Sequence, residues 1–195
     1  MNMNNETNLF GILREEQNIN PENELLIQKE EEYKKYIDNH IKEVRVAFNN
    51  LIANSWINNS SNRDVKECLR ELRENILNHD ASKYSDEEFD AYRAYFYPVS
   101  DEEKENAKDD WERATKHHYE VNKHHPEHWI IDGVPQDMPI VYILELMCDW
   151  EAMSKVGSSL VEFWNETKNT RWSKLMTQYT IDTIDRLIKL IYYKE

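Results

Sequence analysis

Apolar residues recur along this chain at steps of three and four, the period of an α-helix that buries one face. Ile37, Ile41, Val44, Phe48 and Leu51 form one such stripe, and Pro21 suits a first helical position, so a helix is expected from residue 21 to about 54. After the polar break Asn58–Asn62, Val65, Leu69, Leu72 and Ile76 predict a second helix from Arg63 to about Asn78. Ser85-Asp86-Glu87-Glu88 reads as a capping box, with Glu88 reaching back to the backbone, ahead of a short aromatic helix that Pro98 ends. Ser100-Asp101-Glu102-Glu103 reads as another and opens a helix to about His124. In it Trp111, Ala114, His118, Val121 and His125 fall on one face, with His117 and His124 on a neighbouring face. Further helices are expected over about 139–154, 159–166 and 170–192, the last with Leu175, Ile181, Ile184, Leu187, Ile188 and Ile191 as its apolar set. No alternating pattern is long enough for a sheet. The fold class is therefore all-α, with about six to seven helices. Residues 1–20 read as a polar tail and residues 21–195 as a single domain.

Composition narrows the partners. Only 3 Gly and 5 Pro occur in 195 residues, which favours long regular elements. The formal net charge of -14 disfavours a nucleic-acid polymer, which needs a basic face. No basic and apolar leader opens the chain, and no apolar run reaches about 18 residues, so neither a signal peptide nor a membrane span is expected. Cys68 and Cys148 lie far apart in helical patterns and read as free thiols. A cytoplasmic protein is the expectation.

Candidate chemistry gathers around histidine. His79-Asp80 sits at the predicted end of the second helix, and His40 stands beside the apolar stripe of the first. His117, His118, His124, His125 and His128 cluster downstream. Asp149 follows inside the apolar run Ile140–Trp150, where a carboxylate is costly unless it is paired or metal-bound. Imidazole nitrogens and carboxylate oxygens suit Mn, Fe, Zn or Co. Taken singly these residues have plain readings. His79-Asp80 could end a helix, Lys83 could be a solvated loop lysine, and Asp149 could pair with Arg45 or Lys155. The aromatics Phe89, Tyr92, Tyr95, Phe96 and Tyr97 could stack a base, but their spacing favours core packing. Trp129 and Trp150, beside the candidate ligands, are candidate pocket walls.

The order His40, His79-Asp80, His118 with His124-His125, then Asp149 resembles the HD-domain superfamily of metal-dependent phosphohydrolases. Lys83, three residues after the Asp, is a feature many members share. The motifs His79-Asp80-Ala81-Ser82-Lys83-Tyr84-Ser85 and Asn122-Lys123-His124-His125-Pro126-Glu127-His128-Trp129 also resemble those of an uncharacterised family of bacterial and phage proteins. The superfamily resemblance implies an HD-like helical bundle. It implies one divalent ion on His40, His79, Asp80 and Asp149, with His118, His124 and His125 as candidates for a second that Asp80 bridges. It also implies hydrolysis of a phosphate ester or anhydride on a small molecule such as a nucleotide. Asp80 and Lys83 are the expected catalytic residues, and Lys83 would balance phosphate charge. His124, Glu127 and His128 are candidates to protonate the leaving oxygen. The alternative is a noncatalytic metal-stabilised module that binds a nucleotide or a protein.

Overall fold

The structure is a computed structural model that describes residues 20–54, 61–154 and 159–193. The predicted tail up to residue 19, most of the polar break after the first helix and Lys155 lie outside these residues. Among the described residues the protein is all-α apart from one two-residue hairpin. Eight α-helices run in the order α1 (Pro21–Asn54), α2 (Arg63–Leu77), α3 (Phe89–Phe96), α4 (Asp101–Asn106), α5 (Lys108–Val121), α6 (Ile140–Ser154), α7 (Leu160–Thr167) and α8 (Gln178–Tyr192). Short 3₁₀ turns cover Ala81–Tyr84, Pro126–Trp129 and Trp172–Lys174.

The termini of these helices follow from local chemistry. Asn20 accepts the Glu22 N–H at 3.3 Å and places Pro21 first, where its missing N–H costs nothing. Asn62 caps α2 through the Asp64 N–H at 2.8 Å. Ser159 and Glu162 form a complete capping box on α7. Between the strands β1 (Ile130–Ile131) and β2 (Val134–Pro135), Asp132 and Gly133 take φ of 50° and 78°, the pair of positive values that a tight hairpin turn requires.

α6 is the central element. Its run Val141–Cys148 is apolar almost all round, and it packs against α1, α2, α7 and α8. Val44, Phe48, Leu72, Ile76, Leu146, Trp164 and Ile184 belong to this main core. A smaller cluster of Tyr33, Ile37, Tyr92 and Ala114 joins α1, α3 and α5. No helix among the described residues is long and apolar enough to cross a membrane.

Several sequence expectations are corrected. Ser85–Glu88 is a turn and not a capping box: α3 begins at Phe89, and the fully buried Glu88 carboxylate points to histidines of α5. The helix expected from Ser100 to His124 is two helices that meet at Ala107, and the second ends at Val121, which raises the count to eight. Ser100 does cap α4, accepting the Glu103 N–H at 3.1 Å. The Glu103 carboxylate reaches past the cap to Val99 N–H and to both terminal nitrogens of the buried Arg93. The final helix starts at Gln178, capped by Thr177, because residues 172–174 form a tighter turn.

Candidate metal centre

Five segments deliver side chains to one buried cluster. α1 carries His40 one turn before Val44, on the face that packs on α6. α6 carries Asp149. α5 carries His118, and the turn after α5 carries His124 and His125. His79 and Asp80 come from the chain just past α2. In a continuing helix, neighbouring side chains diverge by about 100°. Here the helix has ended, and Asp80 takes the left-handed conformation (φ 55°, ψ 19°), one that Asp tolerates better than most residues. Both side chains then enter the same cluster.

Asp80 divides its carboxylate between two sets of partners. Its Oδ2 lies 3.4 Å from His40 Nε2 and 3.7 Å from His79 Nε2. Asp149 Oδ1 closes that set, 3.0 Å from His40 Nε2 and 3.7 Å from His79 Nε2. Asp80 Oδ1 faces the other way, 3.3 Å from His118 Nε2 and 3.6 Å from His124 Nε2. His118 Nε2 in turn lies 3.0 Å from His125 Nε2. All seven candidate ligand residues are thus brought together. His125 arrives from a loop, not from the helical face expected for it, and Val121 on that face is 49% exposed.

The arrangement fits divalent cations. Ligands at about 2.0–2.2 Å from a tetrahedral ion stand roughly 3.3–3.6 Å apart, close to the separations here. Hydrogen bonding accounts poorly for the cluster. His79 Nε2, Asp80 Oδ1 and His124 Nε2 are buried and have no hydrogen-bond partner. Such orphaned atoms are rare and costly in a folded protein. Two sets of donor atoms, one from His40, His79 and Asp149 and one from Asp80, His118, His124 and His125, each lie within 4.8 Å of one another.

Two carboxylates that sequence reasoning missed hold the rings from behind. Glu145 Oε1 lies 3.1 Å from His79 Nδ1 and 3.2 Å from His124 Nδ1, so one oxygen accepts from a ring of each set. Glu88 Oε2 lies 2.9 Å from His118 Nδ1, and its Oε1 lies 2.9 Å from His117 Nδ1. A carboxylate on the far nitrogen fixes the tautomer and leaves Nε2 as the free donor. A signal for Glu145 was present: it stands one helical turn before Asp149 in the same apolar run, and the two therefore share a face.

Burial and charge oppose each other throughout. Burial would lower the His79 pKa, but Asp80, Asp149 and Glu145 outweigh it and raise it to about 10. Burial would raise Glu145, but hydrogen bonds from His124 and His79 hold it down to about 2. Burial would also raise Asp80 and Asp149, which Lys83 and the histidines around them hold well below the usual carboxylate range. His125 differs: burial, then His124 and His118, push it down to about 2, so its ring stays neutral.

Lys83 Nζ donates to Asp80 Oδ2 at 2.7 Å, and Asp80 is 2% exposed. Beyond Lys83, His118 and His125 opens a cavity of about 460 Å³. α1 gives it Tyr33 and Tyr36, α3 and its end give Tyr92, Phe96 and Tyr97, and α5 gives Trp111, Thr115 and Tyr119. Part of the aromatic set expected in the core therefore walls a cavity. Trp129 and Trp150 do not line this cavity. Trp150 packs in the core against Phe163, Trp164 and Trp172, and Trp129 packs on Tyr142 and donates to Lys123 O. His128 donates to Glu120 O at 2.9 Å and is spent on the end of α5, not on the cluster. Arg45 donates to Leu77 O at the end of α2 and does not pair with Asp149.

No curated protein and no solved structure matches this chain. One family profile does, the Family of unknown function (DUF5662), over residues 29–191 of the 195. That span contains every residue of the cluster, and the chain belongs to DUF5662.

Proposed function

We propose that the cluster holds two divalent ions bridged by Asp80 and hydrolyses a phosphate ester or anhydride on a small molecule. His40, His79, Asp80 Oδ2 and Asp149 would hold one ion, and Asp80 Oδ1, His118, His124 and His125 the other. The observation that carries this reading is the divided Asp80 carboxylate, with Oδ1 orphaned between imidazoles and Oδ2 set among the other ligand atoms. Divalent ions held there supply Lewis acidity, which polarises a phosphoryl oxygen and acidifies water.

The chain's own groups do the rest. Glu145 and Glu88 keep the ligand rings oriented. Lys83, at the border of cluster and cavity, places an ammonium where a phosphoryl group entering from the cavity needs compensation. The order of the ligand residues and the helical fold are consistent with the HD-domain resemblance, which supports the same chemistry.

The test is phosphate release from a panel of nucleotides and phosphoesters with Mn or Co, wild type against His79→Ala. The wild type should release phosphate, and His79→Ala should lose the rate by orders of magnitude. Lys83→Ala should lose less, chiefly in substrate affinity. Near-complete burial of the ligands also suits a structural metal site. A metal-loaded wild type as inert as His79→Ala would favour that noncatalytic alternative.

A further inference from the structure

Among the described residues two cavities that reach the cluster differ in chemistry. The smaller, about 240 Å³, comes to His124 and Glu145 past Asn75, Asn78, Asn122 and Lys123, a polar lining suited to water. The larger, at about 460 Å³, lies within the range of roughly 300–1,000 Å³ typical of small-molecule sites, and its lining is mostly aromatic.

The walls of the larger cavity are held by contacts among themselves. Tyr92 and Phe96 stack at 6.0 Å, and Trp111 meets Phe96 edge-on at 6.2 Å. Tyr97 packs on Tyr33 at 5.6 Å and on Tyr36 at 6.2 Å. Phe96 lines the cavity and is 55% exposed, so part of its ring is open to a ligand. Tyr33 is 2% exposed, and its hydroxyl has no hydrogen-bond partner. The hydroxyl atom itself is closed off from the cavity, so the ring and not the hydroxyl forms the wall. Charge supplies a further observation. Lys83 is the one lysine or arginine among the described lining residues, and it already neutralises Asp80. Further phosphates strung along this cavity would lose water without gaining a cation, which is costly.

We infer that the larger cavity holds the flat aromatic part of a phosphate monoester whose single phosphoryl group sits at the cluster. This rests on the hydrolase reading for the fate of the ester and deepens it from any phosphate ester or anhydride to an aromatic monoester. In the reaction water forms the new P–O bond and the ester P–O bond breaks. The leaving alcohol keeps the bonding pair and takes a proton, giving inorganic phosphate and the free aromatic alcohol. Ring stacking on Phe96 and Tyr97 supplies affinity that tolerates different ring systems.

The test separates binding from turnover. Binding of the four nucleosides, their 5′-monophosphates and their 5′-triphosphates to the full-length, Mn-loaded protein is measured by calorimetry. Phosphate release is measured for the same nucleotides, p-nitrophenyl phosphate and glycerol 3-phosphate. At least one monophosphate should bind about tenfold more tightly than its triphosphate. An aromatic monoester should be cleaved with kcat/KM about tenfold or more above glycerol 3-phosphate. Phe96→Ala, at an exposed position that the fold tolerates, should weaken binding of the monophosphate by about tenfold. Tighter triphosphate binding, or binding indifferent to Phe96→Ala, overturns the inference. Phe96-dependent monophosphate binding without any phosphate release keeps the cavity assignment and removes the hydrolase. Equal cleavage of glycerol 3-phosphate and the aromatic esters keeps the hydrolase and removes the cavity assignment.

Discussion

Asp80 does two jobs through one carboxylate, and its backbone makes both possible. Asn is nearly isosteric and also accepts the left-handed conformation, so Asp80→Asn should keep the fold, with a loss of stability because Lys83 loses its charged partner. It should nevertheless lose the bridging charge. Native mass spectrometry should find two divalent ions per wild-type chain and at most one in Asp80→Asn. Full loading of the variant would remove Asp80 from the ligands. Glu145 is tested differently because its carboxylate meets the Nδ1 atoms of two rings. Glu145→Gln keeps the shape, and its one oxygen can still accept from both rings, but the negative charge that strengthens both bonds is gone. Metal affinity should fall about 10–100-fold, the usual cost of losing such a support. An unchanged affinity in competition with a chelator would make Glu145 a packing residue only. At this scale the sequence was legible for the histidines and aspartates that converge and silent for Glu88, whose partners lie on another helix.

Among the elements, α6 carries the greatest load because it is buried on nearly every side and also supplies Asp149 and Glu145. Its apolar character was plain from its composition, but which of its neighbours it would meet was not. Leu146, at 1% exposure, should cost about 2–5 kcal/mol when cut to Ala. Met153 near its end is 50% exposed, and Met153→Ala should stay within about 0.5 kcal/mol. Urea denaturation of both variants checks the contrast, and equal losses would contradict the packing of α6. The break between α4 and α5 shows the opposite case. Nothing in residues 100–124 forbids one long helix. The chain bends at Ala107, while Glu103 turns back to Arg93 on α3, a partner that helix periodicity does not reveal.

For the whole molecule, the histidine–carboxylate cluster makes stability depend on pH and on metal in opposite senses. Without metal, the His79 pKa of about 10 exceeds its unfolded value near 6.5, and His40 and His118 are also raised. Their contribution is complete below about pH 6.5 and is lost as pH rises through the folded values. Asp80, Asp149 and Glu145 are depressed, so their contribution holds above about pH 4 and is lost in stronger acid. His125, neutral when folded, favours unfolding as pH falls below about 6.5. The metal-free protein should therefore be most stable near pH 6–7, roughly where these effects cross, with Tm falling on either side. Ligand imidazoles must be neutral, so the Tm gain on adding Mn or Zn should instead grow as pH rises from 6 to 8. Thermal melts with and without EDTA across this range check both slopes. A metal gain that shrinks as pH rises would count against imidazole ligation.

Periodicity and capping chemistry alone determined that this chain is helical and where most helices begin. They determined the buried stripes of α1, α2 and α8, because a helix that must bury one face writes that need into steps of three and four. Residue type and order also picked out the seven histidines and aspartates that meet. Only the tertiary structure decided that Asp80 divides its oxygens between two sets and that Glu145 ties the sets together. Only it separated Trp150, a core residue, from Phe96 and Tyr97, which wall a cavity. The reason is the same in each case. A helical pattern states which face is buried, whereas the partner of a buried polar or aromatic group is chosen by distant segments and by the loops that bring them together.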